Sequence, residues 1–130
     1  MTASLAEHWC AGSTTRNVPW LNELVPQPWI EIPEELAEKL GVTGSEMVKV
    51  SSARGAITVK PMITKRMKVM QINGNEVPVV WMPYNWGFKG LSTGPSTNEL
   101  TIDAGDPNTY CQETKACLVN ITPVDTGKVA

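Results

Sequence analysis

Short stretches of alternating apolar and polar residues, separated by turn-forming residues, run through the middle of the chain. In 46–52, Val48 and Val50 share one face of a predicted strand, and a second strand is predicted over 56–64. A tight connection ending in Gly55 joins the two strands, so we expect them to pair antiparallel. Residues 69–72 and 76–82 flank Asn-Gly-Asn, a sequence typical of a β-hairpin.

The remaining regular elements are a first strand, one helix and a closing strand. Residues 29–32 predict a short strand, and residues 115–121 predict the closing strand. Between them, 33–41 has the signature of a compact helix: Pro33 fits its first position, Glu34 and Glu35 its positive end, and Gly41 a left-handed C-terminal residue. The two glutamates are explained by this helix start, so they need no catalytic role.

Two long segments lack periodicity, and they frame the predicted fold. Residues 1–28 are irregular, and their prolines favour extended backbone. Residues 83–114 form a second irregular segment, and a loop of this length is usually functional or disordered. Its aromatic residues argue against disorder. We therefore predict a mainly β fold, a small barrel of five or six strands with one short helix and functional loops, divided into an extended arm at 1–28, a barrel at 29–122 and a tail at 123–130.

Composition narrows the function classes. The chain has 130 residues, enough for one domain, with 42% hydrophobic residues and a formal net charge of −2. Without a basic block, a nucleic-acid partner is disfavoured. No apolar run approaches the roughly 20 residues that cross a bilayer, so direct membrane insertion is not expected. The three cysteines do not suggest a disulfide framework, and the spacing of His8, Cys10, Cys111 and Cys117 matches no compact zinc motif.

The most chemically informative stretch is the loop Glu7–Asn17. Its run Gly12, Ser13, Thr14, Thr15 and Arg16 brings together backbone N–H groups, hydroxyls and a guanidinium. Such groups suit a ligand with phosphates or a hydrogen-bonding heterocycle. The alternative from residue types alone is an ordinary loop that caps a helix.

An ordered set of motifs resembles the C-terminal domain of molybdopterin-dinucleotide oxidoreductases. It comprises Glu-His-Trp-Cys-Ala-Gly-Ser-Thr-Thr-Arg-Asn from Glu7, Ile-Pro-Glu-Glu-Leu-Ala-Glu-Lys-Leu-Gly-Val from Ile32, Val-Lys-Val-Ser-Ser-Ala-Arg-Gly from Val48, Met-Pro-Tyr-Asn-Trp-Gly from Met82, Asn-Glu-Leu-Thr from Asn98, Gly-Asp-Pro-Asn-Thr from Gly105 and Lys-Ala-Cys-Leu-Val-Asn-Ile from Lys115. The Trp-Gly pair and the Asn-x-Leu-Thr…Gly-Asp segment resemble the catalytic (alpha or major) subunits of formate dehydrogenases. The resemblance covers about Glu7 to Ile121 and implies a six-stranded double-psi β-barrel.

The resemblance implies a supporting role in binding the cofactor, molybdopterin guanine dinucleotide (as bis-MGD) with molybdenum or tungsten. Asn85 and Asn98 would read the edge of a pterin, and Trp86 would pack on the ligand or on other domains. Asp106 would accept from a ring N–H, or be a plain turn former. Lys115 is either a ligand contact or a solvated strand end. With Gly12 to Arg16, these are the candidate cofactor-binding residues.

The resemblance also implies what this chain does not carry. The metal ligand, the catalytic residues and the iron–sulfur ligands of the family lie in other domains, so we assign no catalytic or metal-binding residue here and give His8 and Cys10 no such role. The implied partners are the remaining domains of the parent subunit and an iron–sulfur electron-transfer subunit, in the periplasm or the cytoplasm according to any export signal. Asn85 and Gln112 depart from the histidine and the Pro-Glu pair usual in formate dehydrogenases.

Two alternatives remain on the same barrel type. The first is a stand-alone double-psi barrel that acts as a protein-interaction module, which would not need the loops Glu7–Asn17 and Asn98–Asn108. The second is a self-processing decarboxylase, which needs a Gly-Ser cleavage site, and Gly12-Ser13 and Gly44-Ser45 both qualify formally. If the chain binds a dinucleotide, we expect the two loops to lie side by side at one end of the barrel.

Overall fold

A computed structural model describes residues 1–87 and 89–124. Within them the chain forms eight short strands: β1 Thr2–Ala3, β2 Trp29–Pro33, β3 Val48–Ser51, β4 Ala56–Thr64, β5 Val69–Ile72, β6 Asn75–Pro78, β7 Met82–Pro83 and β8 Asn120–Pro123. The described helices are α1 Pro19–Leu24 and α2 Glu34–Leu40, with 3-10 turns at Thr15–Asn17 and Thr97–Glu99. Most of the predicted tail at 123–130, as well as Phe88, lies outside the described residues.

The largest sheet has four strands in the order β2-β4-β3-β8. Strand β2 pairs parallel with β4, while β3 runs antiparallel to both β4 and β8. The predicted antiparallel pair β3–β4 is therefore confirmed. The predicted hairpin is confirmed as β5–β6, with Asn73 and Gly74 at φ 50° and 78° in its turn, although its second strand ends at Pro78 and not at residue 82. Strand β1 pairs parallel with β7, which ties the start of the chain to the segment after the hairpin.

The core lies on one face of the large sheet and follows the alternation seen in the sequence. Val48 and Val50 on β3 are fully buried, and Ile57 and Val59 on β4 are 4% and 1% exposed. Burying a side chain of this size stabilises the fold by roughly 1.5–3 kcal/mol. Ile30 and Ile32 on β2 complete this cluster, and α2 covers it with Ala37.

The helix α2 agrees with its sequence signature, shifted by one residue. Pro33 is the residue before the first turn, Glu34 and Glu35 lie in that turn, and Gly41 ends the helix at φ 68°. The prediction of one helix was wrong, because Pro19–Leu24 is also helical rather than extended. Pro19 occupies the first helical position, where a missing N–H costs nothing, so the residue taken as a sign of extended backbone starts a helix here.

The closing strand is shorter and later than the predicted 115–121. Pairing with β3 begins only at Asn120, opposite Ser51, and ends at Pro123. Among the described residues the pairings give one four-stranded sheet and two two-stranded sheets, with isolated bridges between Glu31 and Trp81 and between Gly105 and Gln112. The fold is thus mainly β, and these pairings do not form a closed ring.

Candidate functional site

The side chain of Arg16 binds the loop Glu7–Asn17 to residues 85–92. It is 5% exposed, and its Nε donates to the carbonyl oxygen of Asn85 at 3.0 Å. Its Nη1 donates to the carbonyl oxygens of Lys89 and, at 3.1 Å, Ser92. In return, the Leu91 N–H donates to the Arg16 carbonyl at 2.9 Å. A guanidinium can serve several acceptors at once because its donors point outward in a fixed plane.

The side-chain amide of Asn85 makes the reciprocal connection. It is fully buried, and its Nδ2 donates to the carbonyl oxygens of His8, at 3.0 Å, and Cys10. Its Oδ1 accepts from the Leu5 N–H at 3.1 Å. Both amide hydrogens of Asn85 are therefore used within the protein, and this arrangement holds the two segments in one register.

Gly12 is a point of close approach between the two segments. Its φ is 75°, and a Cβ placed on it would lie 2.1 Å from the Asn85 carbonyl oxygen and 3.2 Å from Arg16 Nε. Only a glycine tolerates both the backbone conformation and the contact. The glycine of the predicted ligand run is thus required by the packing of the loop itself.

The hydroxyl residues that follow Gly12 divide into two exposed ones and one half-buried one. Ser13 and Thr14 are exposed, and Thr15 is half-buried. Thr14 precedes the 3-10 turn Thr15–Asn17, yet its side chain makes no capping hydrogen bond. The helix-capping alternative for this loop therefore lacks its defining contact, and the hydroxyls of Ser13 and Thr14 lie on the surface.

Beneath this surface lies a cluster of rings. His8 packs edge-on against Trp86, with centroids 4.8 Å apart and planes at 86°. Trp29 lies 6.2 Å from Trp81 and 6.4 Å from Trp86. The indole N–H groups of Trp29 and Trp86 are buried without a hydrogen-bond partner. Trp9 and Trp20 instead remain 71% and 79% exposed.

The remaining candidates lie in a second region. Asn98 is exposed in the turn Thr97–Glu99, and its N–H donates to Ser96 Oγ at 3.3 Å. Asp106 accepts from the N–H groups of Asn108 and Thr109 at 2.9 and 2.8 Å, and from the Thr109 hydroxyl. These bonds lower the pKa of Asp106 below its usual 3.8.

Lys115 has an exposed side chain, and its carbonyl oxygen accepts from the Thr2 N–H at 2.9 Å.

The structure joins Gly12 to Arg16 with Asn85 and Trp86 in one cluster. Beside Asn98, the hydroxyl of Thr97 donates to the Pro83 carbonyl at 2.8 Å, two residues before Asn85. The side-by-side arrangement of the two loops remains a prediction, supported so far by this shared contact with the segment that leads to Asn85.

Two residues of the cluster, Asn22 and Ser92, were not singled out from the sequence. Asn22 donates to the Arg16 carbonyl at 2.8 Å and accepts from Ser92 Oγ, which links α1 to both segments. His8 was considered only as a metal ligand or neighbour, although a lone histidine beside a tryptophan in an irregular segment is a candidate for burial. Across residues 1–87 and 89–124 no cluster of three metal-ligating side chains occurs, and no helix there could span a membrane.

Comparison with protein families gives the class of this domain. Residues 1–118 match the family described as "Molydopterin dinucleotide binding domain", and the chain belongs to that family. This confirms the resemblance drawn from the ordered motifs.

Curated relatives point to one group of enzymes. The chain is 46% identical over 124 residues to formate dehydrogenase 2 subunit alpha (cytochrome c-553) of Nitratidesulfovibrio vulgaris, covering 95% of this chain and 12% of that protein. It is 44% identical over 123 residues to formate dehydrogenase subunit alpha of Megalodesulfovibrio gigas, covering 93% of this chain and 12% of that protein. Over 102 residues it is 41% identical to the formate dehydrogenase-O major subunit of Escherichia coli, covering 78% of this chain and 10% of that protein. The chain thus spans about an eighth of the length of these relatives.

Among solved structures, acetylene hydratase from Pelobacter acetylenicus matches with a TM-score of 0.47 and 17% identity. The match covers 64% of this chain and 12% of that chain.

Proposed function

We propose that this chain is the cofactor-binding domain of a formate dehydrogenase catalytic subunit. The observation that supports it is the identity of 46% and 44% to two formate dehydrogenase alpha subunits over nearly the whole chain. The parent enzyme would oxidise formate to CO2, with this domain binding molybdopterin guanine dinucleotide. An interaction module without a cofactor is not favoured, because family membership covers 118 of the 130 residues and includes the loop Glu7–Asn17.

The surface chemistry fits a phosphate-bearing dinucleotide. The exposed hydroxyls of Ser13 and Thr14 offer donors to phosphate oxygens, and the Trp86 N–H is a buried donor without a protein partner. When bound, the cofactor would supply the redox chemistry at its molybdenum or tungsten, and this chain would bind and orient it.

Within this proposal, the candidate residues divide into contacts and supports. Ser13, Thr14 and Asn98 have exposed side chains, so they would contact the cofactor directly. Arg16 and Asn85 already donate to backbone carbonyls, so their proposed role is to hold the loop in its binding shape. Asp106 and Lys115 remain proposed contacts in the second region.

The finer features of the assembly belong to the same proposal. The strands would form the six-stranded double-psi barrel that the motifs imply. The other domains of the parent subunit would carry the metal ligand, the catalytic residues and an iron–sulfur cluster, and a separate iron–sulfur subunit would accept electrons. The exposed Trp9 and Trp20 would pack against those parts.

The test replaces both exposed hydroxyls, Ser13→Ala and Thr14→Ala, in the parent subunit. We expect at least about a tenfold loss of cofactor affinity, since each lost hydrogen bond to a charged phosphate contributes roughly 1.5–3 kcal/mol. Metal analysis by mass spectrometry and pterin fluorescence would report retained cofactor. The matched control is Ser45→Ala, in an exposed turn of the same chain. Equal cofactor content in both variants would refute the assignment of this loop.

A further inference from the structure

His8 has no role in the chemistry assigned so far, yet it is among the most buried polar residues of the chain. It is 1% exposed and is the only histidine. Its two ring nitrogens lie 3.1 Å from different partners, the Thr15 Oγ1 and the Val25 carbonyl oxygen. A buried imidazole with both nitrogens engaged has its orientation fixed.

The Val25 carbonyl also assigns the proton of one ring nitrogen. A carbonyl oxygen only accepts, so Nε2 must carry the proton that is donated to Val25. The Thr15 Oγ1 accepts from the Trp9 N–H at 3.1 Å, and its own proton can be donated to Nδ1 of the neutral ring. A directed chain of hydrogen bonds then runs from Trp9 N–H through the Thr15 hydroxyl and His8 to Val25.

We propose that His8 is a positioning residue for the loop Glu7–Asn17 and acts through Thr15. By accepting the Thr15 proton at Nδ1, it fixes one hydroxyl of the run within the protein. Ser13 and Thr14 are then presented at the surface in a set conformation. This inference rests on the proposed function, because the loop matters only if it binds the cofactor.

Two further contacts connect His8 to the rest of the cluster. Its ring lies edge-on to Trp86 at 4.8 Å, and its carbonyl oxygen accepts from Asn85 Nδ2 at 3.0 Å. Within the loop Glu7–Asn17, His8 therefore contacts Thr15, and it also contacts the tryptophan cluster and residues 85–92, which Arg16 binds as well. Pre-organisation of this kind raises affinity by reducing the ordering cost of binding.

The experiment compares His8→Asn with His8→Gln in the parent catalytic subunit. Asparagine keeps an acceptor at the position of Nδ1, facing Thr15, whereas glutamine keeps a donor at the position of Nε2, facing Val25. We expect His8→Asn to release cofactor at close to the unmodified rate and His8→Gln to release it about tenfold faster. A purely structural role for the Val25 contact would give the opposite order and would overturn the proposal.

A double-mutant cycle with Thr15→Val tests whether His8 acts through Thr15. Thr15→Val alone should also speed release about tenfold, and adding it to His8→Gln should cause no further change. Independent, multiplying effects would overturn the inference. The outcomes also separate the two proposals. If the Ser13 and Thr14 variants lose cofactor but the His8 variants do not, only the inference about His8 is refuted. If no variant loses cofactor, the proposed function is refuted as well.

Discussion

The two regions that carry the candidate ligand residues are held in opposite ways. The loop Glu7–Asn17 is bound to 85–92 by contacts between residues far apart in sequence, such as Arg16 Nε to the Asn85 carbonyl, a separation of 69 residues. The region 98–115 instead includes a turn in which Asp106 binds residues two and three positions away. The first region depends on the whole fold for its shape, whereas this turn can form on its own.

This difference predicts different contributions to binding. The loop Glu7–Asn17 is ordered when the protein folds, so little ordering remains to oppose ligand binding. The side chains of Asn98 and Lys115 are exposed, so they would be ordered by the ligand itself, whereas that of Asp106 is already held by the N–H groups of Asn108 and Thr109. Substitutions in the first region should therefore lower the stability of the fold together with cofactor content, while those in the second should lower cofactor content and change stability only within the turn at Asp106.

The largest effect is expected from Gly12→Ala. Its new Cβ would lie 2.1 Å from the Asn85 carbonyl oxygen at a φ of 75°, so the two segments must separate. We expect a loss of about 3–5 kcal/mol in the free energy of unfolding, from overpacking together with left-handed strain. Chemical denaturation would measure it. The matched control is Gly74→Ala, whose φ is 78° with nothing within 4 Å, which should cost only about 1 kcal/mol. Similar losses in both variants would show that the contact with Asn85 is unimportant.

The next effect comes from Arg16→Ala, which should lower cofactor content without unfolding the large sheet. The variant leaves the carbonyl oxygens of Asn85 and Ser92 without the Arg16 donor, so we expect a loss of about 2–4 kcal/mol in the free energy of unfolding. Hydrogen exchange should show the loss of protection confined to the two joined segments. Metal analysis would report cofactor content.

Arg16→Lys then separates two roles for the same residue. A lysine keeps the positive charge but loses the planar set of donors. If Arg16 paired with phosphate by charge alone, the lysine variant would retain cofactor. If it acts by holding the carbonyls of 85–92, the lysine variant should lose nearly as much cofactor as the alanine variant.

The sequence predicted elements whose signals are local, and it predicted less well those that depend on distant contacts. The β3–β4 pair, the hairpin and α2 follow from alternation and from Gly55, Gly74 and Gly41. The helix α1 was missed because Pro19 suits both extended backbone and a helix start, and distant packing decides between them. In the site, the run Gly12 to Arg16 was recognised as special, but the burial of Arg16 was not, because its carbonyl partners carry no residue-type signal.

The smallest effect is a response to acid that should appear in only one of the two compared regions, the one that contains Asp106. The N–H groups of Asn108 and Thr109 lower the pKa of Asp106, so its bonds contribute stability above the ordinary pKa of 3.8 and lose it as the pH falls through the lowered value. The contacts that join Arg16 and Asn85 to their partners involve no carboxylate. In a hydrogen-exchange measurement, we expect the N–H protons of Asn108 and Thr109 to lose protection from exchange below about pH 4, while the Leu91 N–H keeps its protection. Asp106→Asn cannot titrate, so it should abolish this pH dependence. Simultaneous loss of protection in both regions would mean that the turn is not independent of the loop, and the comparison between them would fail.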